Sequence, residues 1–312
     1  VSKIDLIDIN LANKEKIINQ LKLQRQKKNY KISGKNFYIK DIIDQINNND
    51  NLSKSIFDNL NTIIDINISK IYLDSKNFVN NFSGNIIYKK NKIYKSDLVS
   101  TFPNNKKLNL TINTNENNEK ITTIYSENPK PLLSSYKFIK GFEEGILDFY
   151  SVKRNNVSES VLKISDFKIQ EVPVLAKLLT LASLQGIADL LTGEGIRFDD
   201  FELKFTSKDK LMRIDELYAI GPAISIMMEG YIEKNNLISL KGTLVPATTI
   251  NRTIASIPLL GNILVGKKVG EGVFGVSFKI KGPKDKLKTT VNPIKTLTPR
   301  FITRTLEKLK KN

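Results

Sequence analysis

Residues 196–207 read IRFDDFELKFTS. In extended form Phe201, Leu203 and Phe205 point one way while Glu202 and Lys204 point the other, because side chains alternate across a strand. The pattern returns in KLMRIDELYAIG (210–221), AISIMMEGYIEKN (223–235) and LISLKGTLVPA (237–247). Each run is about strand length, and Ser-Lys-Asp-Lys, Gly221-Pro222 and Asn235-Asn236 supply turn signals between them. Ile224, Ile226 and Met228 share one face, as do Ile238, Leu240 and Leu244. Sandwiches, barrels and an open curved sheet with a greasy groove all produce this alternation, so pattern alone leaves a closed core and an open face as alternatives.

Upstream, residues 81–126 hold four short β-rich runs separated by Lys-Asn, Pro-Asn-Asn and Asn-Glu-Asn-Asn turns, an antiparallel meander. Residues 31–42 and 62–74 alternate too, around a loop and a short helical turn. NPKPLLSSYKFIKGFEEG (128–145) suggests a Pro-marked connection and a short amphipathic helix carrying Leu132, Leu133, Tyr136 and Ile139, after which 145–155 and 160–172 resume strands. In LANKEKIINQLKLQRQKK (11–28), Leu11, Ile17, Ile18 and Leu21 stand at helical spacing and predict a surface helix.

The most apolar piece is VPVLAKLLTLASLQGIADLLTGEG (172–195), with Pro173 suited to a helix N1 position and Gly193 to its stop. Lys177, Gln185 and Asp189 interrupt it within fewer than the roughly 20 apolar residues a bilayer requires. A buried or half-buried helix is the expectation.

Lys plus Arg number 49 against 32 Asp plus Glu, a formal charge of +17. Such a field suits nucleic acid, an anionic membrane surface or acidic partners. The chain is also loaded with Lys, Asn and Ile, residues of A/T-rich codons, and genome bias takes the larger share of the excess. No basic cluster with interleaved aromatics stands out beyond the short C-terminal tail, so nucleic acid is not an expected partner. Cys, His and Trp are absent. That removes disulfides, thiol nucleophiles, His-based triads and His-ligated metal. The pairs in FDDFE (Asp199, Asp200, Glu202) and GFEEG (Glu143, Glu144) read as solvated surface. No catalytic, cofactor or metal residue is nominated, and an enzyme is not expected. The sequence opens at Val1 with neither the apolar core nor the cleavage site of a signal peptide, which leaves a cytosolic protein or a fragment whose targeting segment lies upstream as alternatives; a start other than Met favours the fragment.

Residues 261–282, GNILVGKKVGEGVFGVSFKIKG, contain a near Walker A pattern and a G-x-G-x-x-G. Lys268 stands where a P-loop needs Ser or Thr for magnesium, and no helix follows. Phe274, Val276, Phe278 and Ile280 instead alternate as a strand, which also removes the dinucleotide reading, whose third glycine opens a helix. A kinase-like glycine loop lacks its His-Arg-Asp and Asp-Phe-Gly partners. Both patterns are chance matches in a glycine-punctuated turn.

Four pieces in order carry a family resemblance: LAKLLTLASLQGIADLLTGEGIRFDDFELKF, IDELYAIGPAISIMMEGYIE, LKGTLVPATTINRTIASIPLLGNIL and GEGVFGVSFKIKGPKDKLKTTVNPIKTLTPRF. Residues 129–301 resemble the C-terminal region of the AsmA-like family of bacterial envelope proteins, nearest its large YhdP-type members. Residues 1–128 carry only a compatible strand pattern. The resemblance divides the chain into an N-terminal β-rich groove segment with a surface helix (1–128) and an AsmA-like C-terminal region (129–312). Lys267-Lys268 and the basic tail TRTLEKLKKN depart from the family's usual text.

The resemblance implies a mainly β fold with a few helices: an elongated, twisted antiparallel sheet forming a curved groove, with amphipathic or capping helices. It implies a periplasmic protein anchored to the inner membrane by an N-terminal helix outside this chain, with its C-terminal end towards the outer membrane. The function so implied is bridge-like phospholipid transport, with a non-catalytic envelope structural or outer-membrane assembly role as the alternative. Phospholipids are then the partners, joined by an outer-membrane or periplasmic protein at the C-terminal end. The expected groove lining is Phe201, Leu203, Phe205, Ile224, Ile226, Met228, Ile238, Leu240, Phe274, Val276 and Phe278. In TPRFITRTLEKLKKN (298–312), Phe301 and Leu306 lie on one helical side, with Arg304 and Lys308 largely around the other. This helix either packs on the sheet's last edge or meets a membrane or partner. TTINRTIASIPLLGNILVG (248–266) is expected to cap the groove.

Overall fold

The computed structural model describes residues 5–40, 61–89, 92–133, 140–233, 237–246, 275–283 and 286–294. They form a mainly β protein of sixteen strands whose order in the sheet follows the sequence, with three helices among the described residues. The chain divides into two compact units, Val1–Ser135 with Ile146–Asn155 and Tyr136–Gly145 with Asn156–Asn312.

The first unit contains β1 (Leu6–Ala12), β2 (Ile18–Gln26), β3 (Asn29–Tyr38), β4 (Thr62–Tyr72), β5 (Phe78–Lys89), β6 (Lys92–Thr101), β7 (Lys107–Thr114), β8 (Lys120–Ser126), the short α1 (Lys130–Leu133) and the second half of β9 (Lys140–Arg154). The meander expected over 81–126 is β5 to β8. The surface helix expected over 11–28 is not there: β1 and β2 form a hairpin, with Ile7 opposite Leu23 and Ile9 opposite Leu21. Asn13 makes its turn, its Oδ1 accepting from the Glu15 and Ile17 amides at 3.0 and 2.9 Å, while Lys16 takes a left-handed φ of 62°. The spacing of Ile17, Ile18 and Leu21 fits a helix, but Leu21 and Leu23 gain more by facing β1 and β3, where tertiary pairing overrides a weak propensity.

A second departure is the β3–β4 pair, which is parallel where an antiparallel sheet was expected. A parallel pair requires a long connection, and 23 residues separate Tyr38 from Thr62. Ile68, Ile71, Val79 and Phe102 form the buried centre here, with Leu21, Ile32, Phe37 and Phe82 packed against it.

The second unit holds the start of β9, then β10 (Val157–Gln170), α2 (Pro173–Leu181), α3 (Gln185–Thr192), β11 (Ile196–Lys208), β12 (Leu211–Ile220), β13 (Ile224–Glu233), β14 (Ile238–Pro246), β15 (Gly275–Gly282) and β16 (Lys288–Ile294). The pairs from β10 to β16 are all antiparallel. The strand at β9 begins at Lys140, so Glu143 and Glu144 sit within it.

The apolar segment 172–195 is two helices, not one. The first starts at Pro173; the break falls at Ala182–Leu184, where Ser183 has φ 58°, and Gly193 caps the second. Neither helix is long and apolar enough to cross a membrane. The turn lets Leu175, Leu178 and Leu179 of α2 and Ala188 and Leu191 of α3 all become buried. Helix α2 touches β16, and α3 touches β10 and β11. The intervening strands therefore curve until one helix pair reaches both flanks of this unit, leaving it open and not closed into a barrel.

Candidate functional site

In an antiparallel or parallel ladder, directly paired residues share a face, so the registers define what each side of the sheet presents. In the second unit one row runs Ile164, Phe201, Ala219, Ile226, Leu244, Val276 across β10 to β15. The next runs Leu162, Leu203, Leu217, Met228, Gly242, Phe278, Val291, reaching β16. A third joins Phe205, Ile214, Gly230, Leu240 and Ile280. Ile224 and Ile238 occupy the same face at the two ends of β13 and β14. The register thus brings every expected lining residue from Phe201 to Phe278 onto one face, except Phe274, which lies outside the described residues.

The opposite face is mixed: Ile220 and Val245 are buried on it near the helix end, and Tyr218, Met227 and the buried Glu216 lie beyond them among charged residues. Glu202 bridges Lys163 at 3.5 Å and Lys204 at 2.9 Å, and Lys241 meets Glu229 at 3.0 Å. A shallow depression on this side is lined by Glu216, Glu229, Lys241, Thr243 and Lys279 among others. Asp199 and Asp200 are half-buried, while Glu143 and Glu144 are exposed, Glu144 pairing with Arg197 at 2.9 Å. Among the described residues no group of acidic side chains is arranged to hold a metal.

Burial grades along the apolar face. At the end where α2 and α3 sit, Ile224 is 0% and Leu244 1% exposed, and Val276 is buried with them. Nearby, Asp166 adopts φ 52°, and the Phe167 ring meets Phe142, Phe198 and Phe201 at 5.3, 5.5 and 6.2 Å. Phe198 and Phe201 are three residues apart, and both rings reach Phe167. Away from that end the face is uneven: Phe201, Leu203, Phe205, Ile226, Met228, Ile238 and Leu240 are half-buried, whereas Ile214, Phe278 and Ile280 in the same rows are buried, at 5, 3 and 3% exposure. The face is closed by helices at one end; elsewhere β11 and β13 present half-buried side chains, while Ile214, Phe278 and Ile280 are buried. Neither a wholly sealed core nor a wholly open groove describes it.

The first unit has an apolar face that sequence reading left without named residues. Ile32, Ile66, Gly84, Leu98, Leu110, Ile124 and Phe149 are successive partners from β3 to β9. The apolar members of this row are half-buried. The reverse side carries Asp65, Asn85, Asp97, Thr111, Thr123 and Tyr150, with the Thr111 and Thr123 hydroxyls 2.6 Å apart. The signal was present in the alternation of KLNLTINT and KITTIYS; Thr and Ser among the apolar positions diluted it.

The glycine-rich stretch 261–274, the expected capping segment 248–266, and Phe301, Arg304, Leu306 and Lys308 lie outside the described residues. Gly275, the third glycine of G-x-G-x-x-G, opens β15 and pairs with Ile294. No family model, no curated protein and no solved structure matches this chain.

Proposed function

We propose that this chain carries phospholipids by laying their acyl tails against the apolar faces of its sheet, as part of a bridge between the inner and outer membranes of a bacterial envelope. The observation that supports this reading is the set of apolar rows in which Phe201, Leu203, Phe205, Ile226 and Met228 stay half-buried, while the reverse side carries the ion pairs of Glu202 and Glu229. An isolated domain gains by covering such a surface, and the largest apolar patches that stay uncovered mark binding sites. A methylene returned to water costs roughly 0.8 kcal/mol, so a tail of about fifteen methylenes needs shielding on the order of 12 kcal/mol across an aqueous gap. A curved sheet provides that lining without proton transfer or covalent chemistry, while headgroups remain in water. The sequence resemblance to AsmA-like envelope proteins adds the location and the direction of the bridge.

Photo-crosslinking residues placed at Leu203 and Ile226 on the apolar face and at Lys204 on the polar face test it in cells. Capture of phospholipid at the first two and not at Lys204 is the expected result. Equal capture at all three would remove the proposal and favour a structural or assembly role in the envelope.

A further inference from the structure

The apolar face of the first unit ends in a group of cations. In β8 side chains alternate, so Lys120 shares a face with Thr122 and Ile124. Lys120 is paired with Lys153 of β9, which places two lysines directly opposite on that same side, Lys120 half-buried and Lys153 exposed. Lys92, at the start of β6, lies close enough to act on Lys120 together with Lys153. Burial, then repulsion from Lys153 and Lys92, holds the Lys120 ammonium below its ordinary pKa. Like charges opposite one another in a sheet are destabilising unless something of opposite sign lies between them.

Among the described residues none of these three lysines forms an ion pair with a carboxylate. The carboxylate next in sequence, Glu119, is engaged by Arg154 and by Asn115, the latter at 2.8 Å. Along the strand from Lys120 come Thr122, beside Ser151 and Ile112, and then Ile124, beside Leu110 and Phe149. At about 3.3 Å per residue the cations stand roughly 13 Å from the first fully apolar row, with a hydroxyl-bearing row between. That order of ammonium, hydroxyl and hydrocarbon matches phosphate, glycerol ester and tail.

We propose that Lys92, Lys120 and Lys153 form a site for the phosphate-bearing headgroup of an anionic lipid at the hairpin end of the first unit's apolar face. The site makes that face selective for lipids of net negative charge. This rests on the reading of the face as a surface for acyl tails.

The test uses the whole chain with three probes: short-chain phosphatidylglycerol below its micelle concentration, phosphatidylcholine of the same tails, and inorganic phosphate. Titrations followed by amide chemical shifts are run on the wild type, on the double variant K120Q/K153Q and on K120R/K153R. The expected result is at least tenfold tighter binding of phosphatidylglycerol than of phosphatidylcholine, with shifts at Thr122 and Ile124. The preference should be lost in K120Q/K153Q, kept in K120R/K153R and weakened by salt. In the glutamine variant phosphatidylcholine should bind as before, which shows both that it is folded and that the tail surface is intact. Equal binding of the two lipids by the wild type overturns the headgroup site while leaving the tail surface standing. Inorganic phosphate binding as tightly as phosphatidylglycerol overturns it in favour of a free-phosphate site. Failure of both lipids to bind the wild type overturns both readings.

Discussion

At Gly84 the backbone takes φ 144°, and a Cβ there would run into the carbonyl of Asp97 on β6. The residue sits in the apolar row between Ile66 and Leu98, on a strand whose register with β6 shifts on both sides of it, at Asn80/Ser83 and at Ile87/Tyr88. Gly84→Ala should therefore cost about 2 kcal/mol or more in urea unfolding, from backbone strain and a displaced strand, although alanine adds only one methyl. Lys120 supplies a pH test. Its folded pKa lies below the ordinary 10.5, so between those two values the unfolded chain holds more protons than the folded one. Stability consequently rises with pH across that window and carries a penalty below it. Lys120→Met should remove the penalty, making the variant's stability flatter between neutral pH and pH 10.5; urea midpoints at several pH values would show it, and an unchanged slope would refute it. Glu119 gives a slope of the same sign at acidic pH, from a favourable contact of its charged form and not from a penalty on it. Its hydrogen bonds from Arg154 and Asn115 lower its pKa, so the β7–β8 turn should loosen as pH falls through that lowered value, read as faster amide exchange at Asn118 and Lys120.

Two short helices and the break between them close one end of the second unit. Leu179 and Leu191 are both 0% exposed, one on each side of the turn. Leu179→Ala removes buried volume that a helix held only by its apolar stripe cannot refill, and about 2 to 5 kcal/mol of stability should be lost. The loss should be accompanied by faster amide exchange in α2 and at β16, the strand it touches. Leu190, on the outward side of α3 and 44% exposed, is the control; its alanine variant should change stability by no more than about 0.5 kcal/mol. The first hairpin teaches the complementary lesson. Residues 11–28 satisfy a helix template, yet their four-residue turn and cross-strand Leu and Ile pairs give the backbone two hydrogen-bonded neighbours' worth of order that a lone surface helix would lack.

At the scale of the molecule, each strand pairs only with its neighbours in sequence, so cooperativity passes from strand to strand as in a repeat protein. The two compact units should then lose structure separately: Leu179→Ala should lower protection in β10 to β16 and leave the amides of Ile66, Leu98 and Leu110 unchanged. A uniform drop across the chain would show a single cooperative unit instead. Much of this architecture was legible locally. The alternation in β11 to β14, the turn at Gly221-Pro222, Pro173 at the start of α2 and Gly193 at the end of α3 each depend on residues a few positions apart, and each is where the sequence places it, although one expected helix became two. The shared face of Phe201, Ile226 and Val276 could be anticipated for the same reason, since once strands pair in order the period of two leaves each apolar set only one side. What no local pattern could decide was which strands turn parallel, where a helix template yields to a hairpin, and how far a face is covered. Those depend on partners distant in the chain: β3 on β4 across a long connection, β2 on β1 and β3, the helix pair on β16. The amino-acid order alone determined a β ladder with one oily side; tertiary structure decided that helices close one end of the second oily face and that three uncompensated lysines gather at the end of the first, because burial and like-charge proximity are properties of neighbours in space.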